Sequence, residues 1–129
     1  MRSVLIYEST DELPMRSYGS PIMQALSKLT NPSNYFHLDC FSDPSFFEWA
    51  TQFMAKNQDC LVILTFESGK HINGLSKILN QVMQNNQEHM IISLNTCVLL
   101  EKLKQKIPIN FFNAREPFIQ EIKEKLKEV

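Results

Sequence analysis

The sequence has 129 residues, of which 43% are hydrophobic and 21% are charged, and its formal net charge is −1. Nucleic-acid-binding surfaces use a basic surplus to displace counterions from phosphates, so this near-neutral balance argues against a nucleic-acid partner. No apolar run approaches the roughly 20 residues of a membrane span, which argues against a membrane partner. The apolar stretch near the first residue is too short for a signal peptide, so we expect a cytoplasmic protein.

The three cysteines, Cys40, Cys60 and Cys97, are odd in number, widely spaced and embedded in apolar sequence. This pattern is typical of reduced core thiols and not of a disulfide framework or a zinc site. The chain has only 3 glycines and contains no low-complexity segment that would serve as a linker. We therefore expect residues 1–129 to form a single domain without a metal.

Five short apolar runs, each bounded by polar or turn-forming residues, predict β-strands. They cover residues 4–7, 35–38, 60–66, 89–94 and 109–112. The third and fourth runs are continuously apolar, which is typical of the central strands of a parallel sheet covered on both faces.

Helical spacing of apolar residues takes over between the runs. Ser20-Pro21 and Asp43-Pro44 are start signals for the first two predicted helices, because proline fits the first helical turn. The third is predicted from Ile72, Leu75, Leu79 and Val82, the fourth from Leu99, Leu103 and Ile107 after a cap at Asn95 or Thr96, and the fifth from Pro117 onward.

Strand and helix alternate five times, and the connections are mostly short. Right-handed crossovers then give a parallel sheet with helices on both faces. We predict an α/β, flavodoxin-like three-layer sandwich with a five-stranded parallel sheet of order 2-1-3-4-5, the commonest arrangement for five such units.

Ligands of such sheets bind beyond the carboxyl ends of the strands. There the sequence places Glu8, Asp11 and Glu12 after the first strand and Glu67 after the third. Glu8, Asp11 and Glu12 would repel a flavin phosphate, and the chain has no dinucleotide, P-loop, hydrolase or zinc motif, so we expect no cofactor. We also expect the four carboxylates to be solvated, with weak Mg²⁺ binding as the less favoured alternative.

The histidines give weak signals. His71 is a candidate acid–base partner of Glu67 or Ser68, although a solvated loop histidine is the preferred interpretation. The other two, His37 and His89, fall in predicted strands without an apparent partner.

Taken in order, several segments resemble the receiver domain of bacterial response regulators, and the resemblance covers most of the chain. Residues 4–8 look like a first strand that ends in an acid, and residues 59–64 look like the approach to the phosphoacceptor. Asn73-Gly74-Leu75 is similar to the family's Asp-Gly-Leu turn, and Glu116-Pro117-Phe118 is similar to its Lys-Pro-Phe turn. The resemblance implies the same sheet order and a role in signal transduction.

The chain departs from the family where the chemistry lies. Thr65 stands where the resemblance places the phosphorylated aspartate, and Glu116 stands where it places the lysine that contacts the phosphoryl group. Glu8 keeps one of the two acids, and Glu67 and Asn95 complete the degenerate site positions. These departures predict a pseudo-receiver, a non-enzymatic signalling module that acts through protein contacts. The alternative is a flavodoxin-like small-molecule-binding protein or enzyme with its site at the strand ends.

The resemblance also implies a partner or homodimer surface on the fourth helix, fifth strand and fifth helix. Residues 101–129 carry 7 of the 13 basic side chains, interleaved with acids, and such charges can form a polar rim around an apolar centre. A core position is the preferred interpretation for Phe111, whereas Phe118 fits either the core or the interface. The candidate interface residues are Lys102, Lys104, Phe112, Phe118 and Lys123.

Overall fold

The computed structural model describes residues 3–11, 35–57, 59–84 and 89–127. Its strands are β1 Ser3–Ser9, β2 Tyr35–Asp39, β3 Cys60–Phe66, β4 Met90–Leu94 and β5 Ile109–Phe112. Its helices are α1 Pro44–Lys56, α2 Leu75–Met83, α3 Val98–Leu103 and α4 Arg115–Lys127. The first predicted helix, from Ser20-Pro21 to residue 31, and Glu12 lie outside the described residues.

The five strands form one parallel sheet of order β2-β1-β3-β4-β5, so the predicted α/β fold class and strand order are confirmed. The long central pair, β1 and β3, runs in register from Ser3 opposite Cys60 to Ser9 opposite Phe66. Every residue of these two strands is buried. The continuous apolar run predicted for the third strand therefore reflects burial on both faces of the sheet.

Because strand side chains alternate between faces, the sheet separates two hydrophobic cores. On one face, Leu5 and Val62 pack with buried residues of α1, α2 and α3. On the other face, Val4, Ile6 and Ile63 pack with Phe118 and Ile122 of α4. Helices thus cover both faces, and we call the two sides the α1–α3 face and the α4 face.

The three cysteines are buried thiols, as predicted. Within the described ranges, no helix is both long enough and apolar enough to cross a membrane.

One of the described helices begins where the sequence predicts, and the other three begin elsewhere. For two of these three, a left-handed residue before the helix explains the difference. The first described helix, α1, begins at Pro44 after Asp43, as predicted. The next, α2, begins at Leu75 and not at Ile72, because Gly74 adopts a left-handed conformation with φ of 80°. The third, α3, begins after Cys97 and not after Asn95 or Thr96, because Asn95 is itself left-handed with φ of 65°. The start of α4 is at Arg115, two residues before Pro117.

Gly74 is the point where α1 and α2 come into close contact. A Cβ atom at this position would overlap the Phe47 ring, which is buried against α2. The backbone carbonyl of the preceding residue, Asn73, accepts a hydrogen bond of 2.8 Å from the Tyr7 hydroxyl. The glycine therefore serves both the left-handed turn and the packing of the ring.

Replacing Gly74 with alanine tests this packing. We expect Gly74→Ala to lower the free energy of unfolding by at least about 2 kcal/mol, since it adds left-handed strain and a clash with the ring. In a Phe47→Leu background the added Cβ meets a smaller side chain, so the cost should fall to about 1–2 kcal/mol, the strain alone. Urea unfolding of the four proteins, followed by circular dichroism, measures this coupling. An equal cost in both backgrounds would contradict the proposed contact.

Candidate functional site

The degenerate site positions lie at the ends of the strands or in the segments that follow them. Glu8 and Thr65 are neighbours on β1 and β3, and both are buried. Glu67 follows β3 and Asn95 follows β4, and both are exposed at the carboxyl edge of the sheet. Glu116 is exposed in the first turn of α4. The fold therefore brings Glu8 and Thr65 together on the α4 face, as their alternation with Ile6 and Ile63 requires.

The Glu8 carboxylate is bonded to His37. Its Oε1 atom lies 2.7 Å from the His37 Nε2 atom, and the two side chains are 7% and 25% exposed, respectively. A carboxylate accepts a hydrogen bond from an imidazole N–H, so the geometry fits Nε2 as the donor and Glu8 as the acceptor. The expectation that Glu8 is solvated is therefore wrong, because this carboxylate is buried and has a histidine partner.

Tyr35 extends this pair along β2. Its ring stacks on the His37 ring with centroids 6.5 Å apart and an interplanar angle of 27°. Burial, reinforced by the nearby Glu8 carboxylate, raises the pKa of Tyr35 to about 12. The phenol is therefore neutral at physiological pH. Glu8, His37 and Tyr35 form a row, which we call the Glu8–His37–Tyr35 row, across two adjacent strands.

The histidine partners were missed because they join residues far apart in the chain. His37 and Glu8 are 29 positions apart, and the β1–β2 register pairs His37 with Ile6 and Glu8 with Asp39. The predicted strand order places the two strands side by side. No local sequence pattern indicates that His37 contacts Glu8, which is two residues beyond its register partner Ile6. His89 also has a partner, because its Nδ1 atom accepts a hydrogen bond of 3.1 Å from the Cys60 backbone N–H.

Asn95 links three strands at the carboxyl edge. Its side-chain amide donates to the Phe66 carbonyl at 3.1 Å, and its backbone N–H donates to the Phe112 carbonyl at 2.7 Å. The Ser93 hydroxyl donates to the Asn95 carbonyl at 2.8 Å. Asparagine tolerates the left-handed conformation better than most residues, so these bonds hold the ends of β3, β4 and β5 together at little cost in strain.

The remaining loop residues do not form the acid–base pair considered for His71. The Ser68 hydroxyl donates to Asp11, and the His71 ring lies against Phe41 with centroids 6.1 Å apart. The Ser9 hydroxyl donates to the His71 backbone carbonyl. In the described segments, no three histidine, cysteine or acidic side chains come close enough together to hold a metal ion.

A cavity of about 590 Å³ opens where β3, β4 and β5 end, and we call it the β3–β5 cavity. It lies between the loop after β3, the start of α3 and the end of β5, as expected for a ligand crevice in an open parallel sheet. The described residues along it are Glu67, Asn95, Thr96, Glu101, Phe111, Phe112 and Asn113.

The candidate interface residues divide between surface and core. Lys102 and Lys123 are exposed, Phe112 is half-buried, and the Lys104 ammonium donates to Glu101 at 2.8 Å. Phe118 is fully buried in the core on the α4 face, so its candidate interface role is corrected.

The opposite correction applies to Phe111. It is 37% exposed, although a core position was the preferred interpretation. Val98, at the start of α3, is 70% exposed. The apolar side chains presented by this surface are thus Phe111 and Val98, and not Phe118.

Comparison of the chain with protein-family models, curated proteins and solved structures finds no match.

Substitutions at His37 test the buried pair. We expect His37→Ala to lower the free energy of unfolding by about 1–3 kcal/mol, because the buried Glu8 carboxylate loses a charge-assisted hydrogen bond. His37→Gln keeps an N–H donor and should recover part of that loss. His71→Ala is the control, since His71 is exposed, and it should change stability by less than about 0.5 kcal/mol. Urea unfolding at neutral pH measures all three, and a His37→Ala variant as stable as the control would contradict the assigned role.

Proposed function

We propose that this protein is a non-enzymatic signalling or regulatory module, a pseudo-receiver of the bacterial type that acts through protein contacts without phosphotransfer. The observation that carries the proposal is the Glu8–His37 hydrogen bond. It occupies the one acid that the receiver resemblance retains. We place the module in the cytoplasm, since its three cysteines are buried thiols in the absence of any disulfide.

The side chains around Glu8 support this proposal. Receiver phosphotransfer, as the resemblance implies it, needs acids open to Mg²⁺, a carboxylate that forms an acyl phosphate, and a cation that contacts the phosphoryl oxygens. Here Glu8 is bonded to a histidine, and its neighbour Thr65 carries a hydroxyl, which cannot form an acyl phosphate. Glu116 adds negative charge at the start of α4 where the resemblance places the cation. The Glu116 charge repels an incoming phosphate, and the other two differences remove groups that phosphotransfer needs.

The proposed contact surface lies on α3, β5 and α4. Lys102 and Lys123 supply exposed cations, and Phe111 and Val98 supply exposed apolar area. Since β5 is an edge strand, the backbone groups along its outer side need cover or a partner. A polar rim around an apolar centre is the usual composition of a protein interface, so this surface suits a protein partner or a second copy of the chain.

The second candidate function is small-molecule binding or catalysis at the strand ends, and the β3–β5 cavity favours it. A thermal-shift screen of flavins, nucleotides and sugar phosphates distinguishes the two proposals. A ligand at one hundred times its Kd stabilises the folded state by about 2.7 kcal/mol, which such a screen detects.

The proposed lack of phosphotransfer gives a direct prediction. Incubation with acetyl phosphate and Mg²⁺ should leave the intact mass unchanged, and beryllofluoride with Mg²⁺ should leave the amide spectrum unchanged. A phosphorylatable receiver domain treated in parallel is the positive control. A stoichiometric, acid-labile phosphoryl adduct on this protein would refute the pseudo-receiver proposal.

Charge reversals test the proposed contact surface. Lys102→Glu, Lys104→Glu and Lys123→Glu together should weaken self-association, or binding of a recovered partner, by about tenfold, roughly 1.4 kcal/mol. Sedimentation over a range of protein concentrations measures the effect. Lys56→Glu, an exposed position on α1, is the control and should leave association unchanged. If association occurs and the triple reversal does not alter it, the interface lies on another surface.

A further inference from the structure

The lining of the β3–β5 cavity has a one-sided electrostatic character. Its described residues include two carboxylates, Glu67 and Glu101, and no cationic side chain. Lys104 hydrogen-bonds to Glu101 and holds the pKa of that carboxyl below its usual range. Within the described chain, Glu67 forms no ion pair. Among the described residues, the charge of Glu67 is thus not neutralised by a cation, which disfavours phosphates and other anions in this cavity.

The polar groups along the cavity include carboxylate acceptors, the Thr96 hydroxyl and the amides of Asn95 and Asn113. The Asn95 amide nitrogen donates one of its two N–H groups to the Phe66 carbonyl, and the side-chain oxygen of Asn95 is an acceptor beside it. Together with the Glu67 and Glu101 carboxylates, this oxygen gives acceptors from three separate segments of the chain. A ligand that donates several hydrogen bonds complements such a lining.

Aromatic side chains complete the cavity. Phe111 is 37% exposed on β5, and the half-buried Phe112 packs against Phe118 with ring centroids 6.3 Å apart. Rings beside carboxylates favour organic cations with an apolar part, because the ring attracts the charge and packs against the carbon chain. A hydrated metal ion would gain nothing from Phe111.

We propose that the β3–β5 cavity binds the guanidinium group of an organic cation. A guanidinium is planar, permanently charged and rich in donors, so it matches carboxylates, an amide oxygen and an aromatic ring at once. Its source is either a free small molecule or an arginine side chain of a protein. This inference does not depend on the proposed pseudo-receiver function, because the cavity uses neither Glu8 nor Thr65.

A matched pair of ligands tests the charge. Butylguanidine and butylurea have nearly the same shape, but only the first is charged. Titration of the ¹⁵N-labelled protein with butylguanidine to about 10 mM should give saturable amide shifts at residues 67, 95–97 and 111–113, for a Kd on the order of 1 mM. Butylurea should bind about fivefold more weakly, the upper range for one exposed ion pair. Non-saturable shifts, or equal binding of the two ligands, would overturn the proposal.

Variants test the location. Glu67→Gln should weaken butylguanidine binding about threefold to fivefold, and Phe111→Leu should weaken it about threefold. Because both positions are exposed, we expect each variant to remain folded, and the amide spectrum verifies this. Glu124→Gln on α4 is the control and should leave binding unchanged. Unchanged binding in Glu67→Gln, or an equal loss in the control, would overturn the site.

A peptide arm distinguishes the two sources. If a capped Gly-Arg-Gly peptide shifts the same amides and binds more tightly than butylguanidine, the result supports an arginine side chain of a protein partner as the ligand. A peptide that binds more weakly supports a free small molecule. Absence of saturable binding by both probes overturns the proposal, while the phosphotransfer test of the proposed function stays unaffected.

Discussion

A carboxylate near the end of a fully buried strand needs a hydrogen-bond donor as its partner. This requirement determines which side chains meet at the carboxyl edge of the sheet. All seven residues of β1 are buried, and Glu8 is the next to last of them. An isolated buried charge costs several kcal/mol, so the position needs a hydrogen-bonding neighbour. His37 on the adjacent edge strand supplies it at 2.7 Å. The Glu8 carboxylate, which could otherwise bind a metal ion or act in catalysis, is thereby held in a hydrogen bond that stabilises the fold.

Two adjacent residues of β1, Tyr7 and Glu8, form hydrogen bonds on opposite faces of the sheet. Glu8 is bonded to β2 on the α4 face, whereas the Tyr7 hydroxyl donates to Asn73 at the start of α2 on the α1–α3 face. Burial raises the pKa of Tyr7, so the phenol keeps the proton that it donates. Separating β1 from its surroundings therefore breaks two largely buried hydrogen bonds, each leaving a group whose desolvation costs about 1–3 kcal/mol.

Local sequence patterns predicted the elements well and the side-chain contacts poorly. The apolar runs of β1 and β3 and the Asp43-Pro44 start signal describe short-range constraints, which one segment encodes by itself. The Glu8–His37 pair depends on the β1–β2 register, and strand order alone leaves that register open. The exposed position of Phe111 has a similar cause. Strand β5 has four residues at the sheet edge, too few for alternation to identify its buried face.

The negative charge along the carboxyl edge disfavours a phosphate and favours a cation, so the proposed lack of phosphotransfer and the proposed guanidinium site have the same electrostatic basis. At β1 the negative charge of Glu8 is buried and bonded to His37. At the ends of β3, β4 and β5 the charge of Glu67 is exposed, and Asn95 fixes the strand ends without consuming its side-chain oxygen. The Glu67 carboxylate, which lines the same cavity as Phe111, therefore remains accessible. No cationic side chain is among the described residues of that lining. A ligand or partner side chain therefore meets the β3–β5 cavity without first breaking a buried bond, whereas access to Glu8 requires the loss of one.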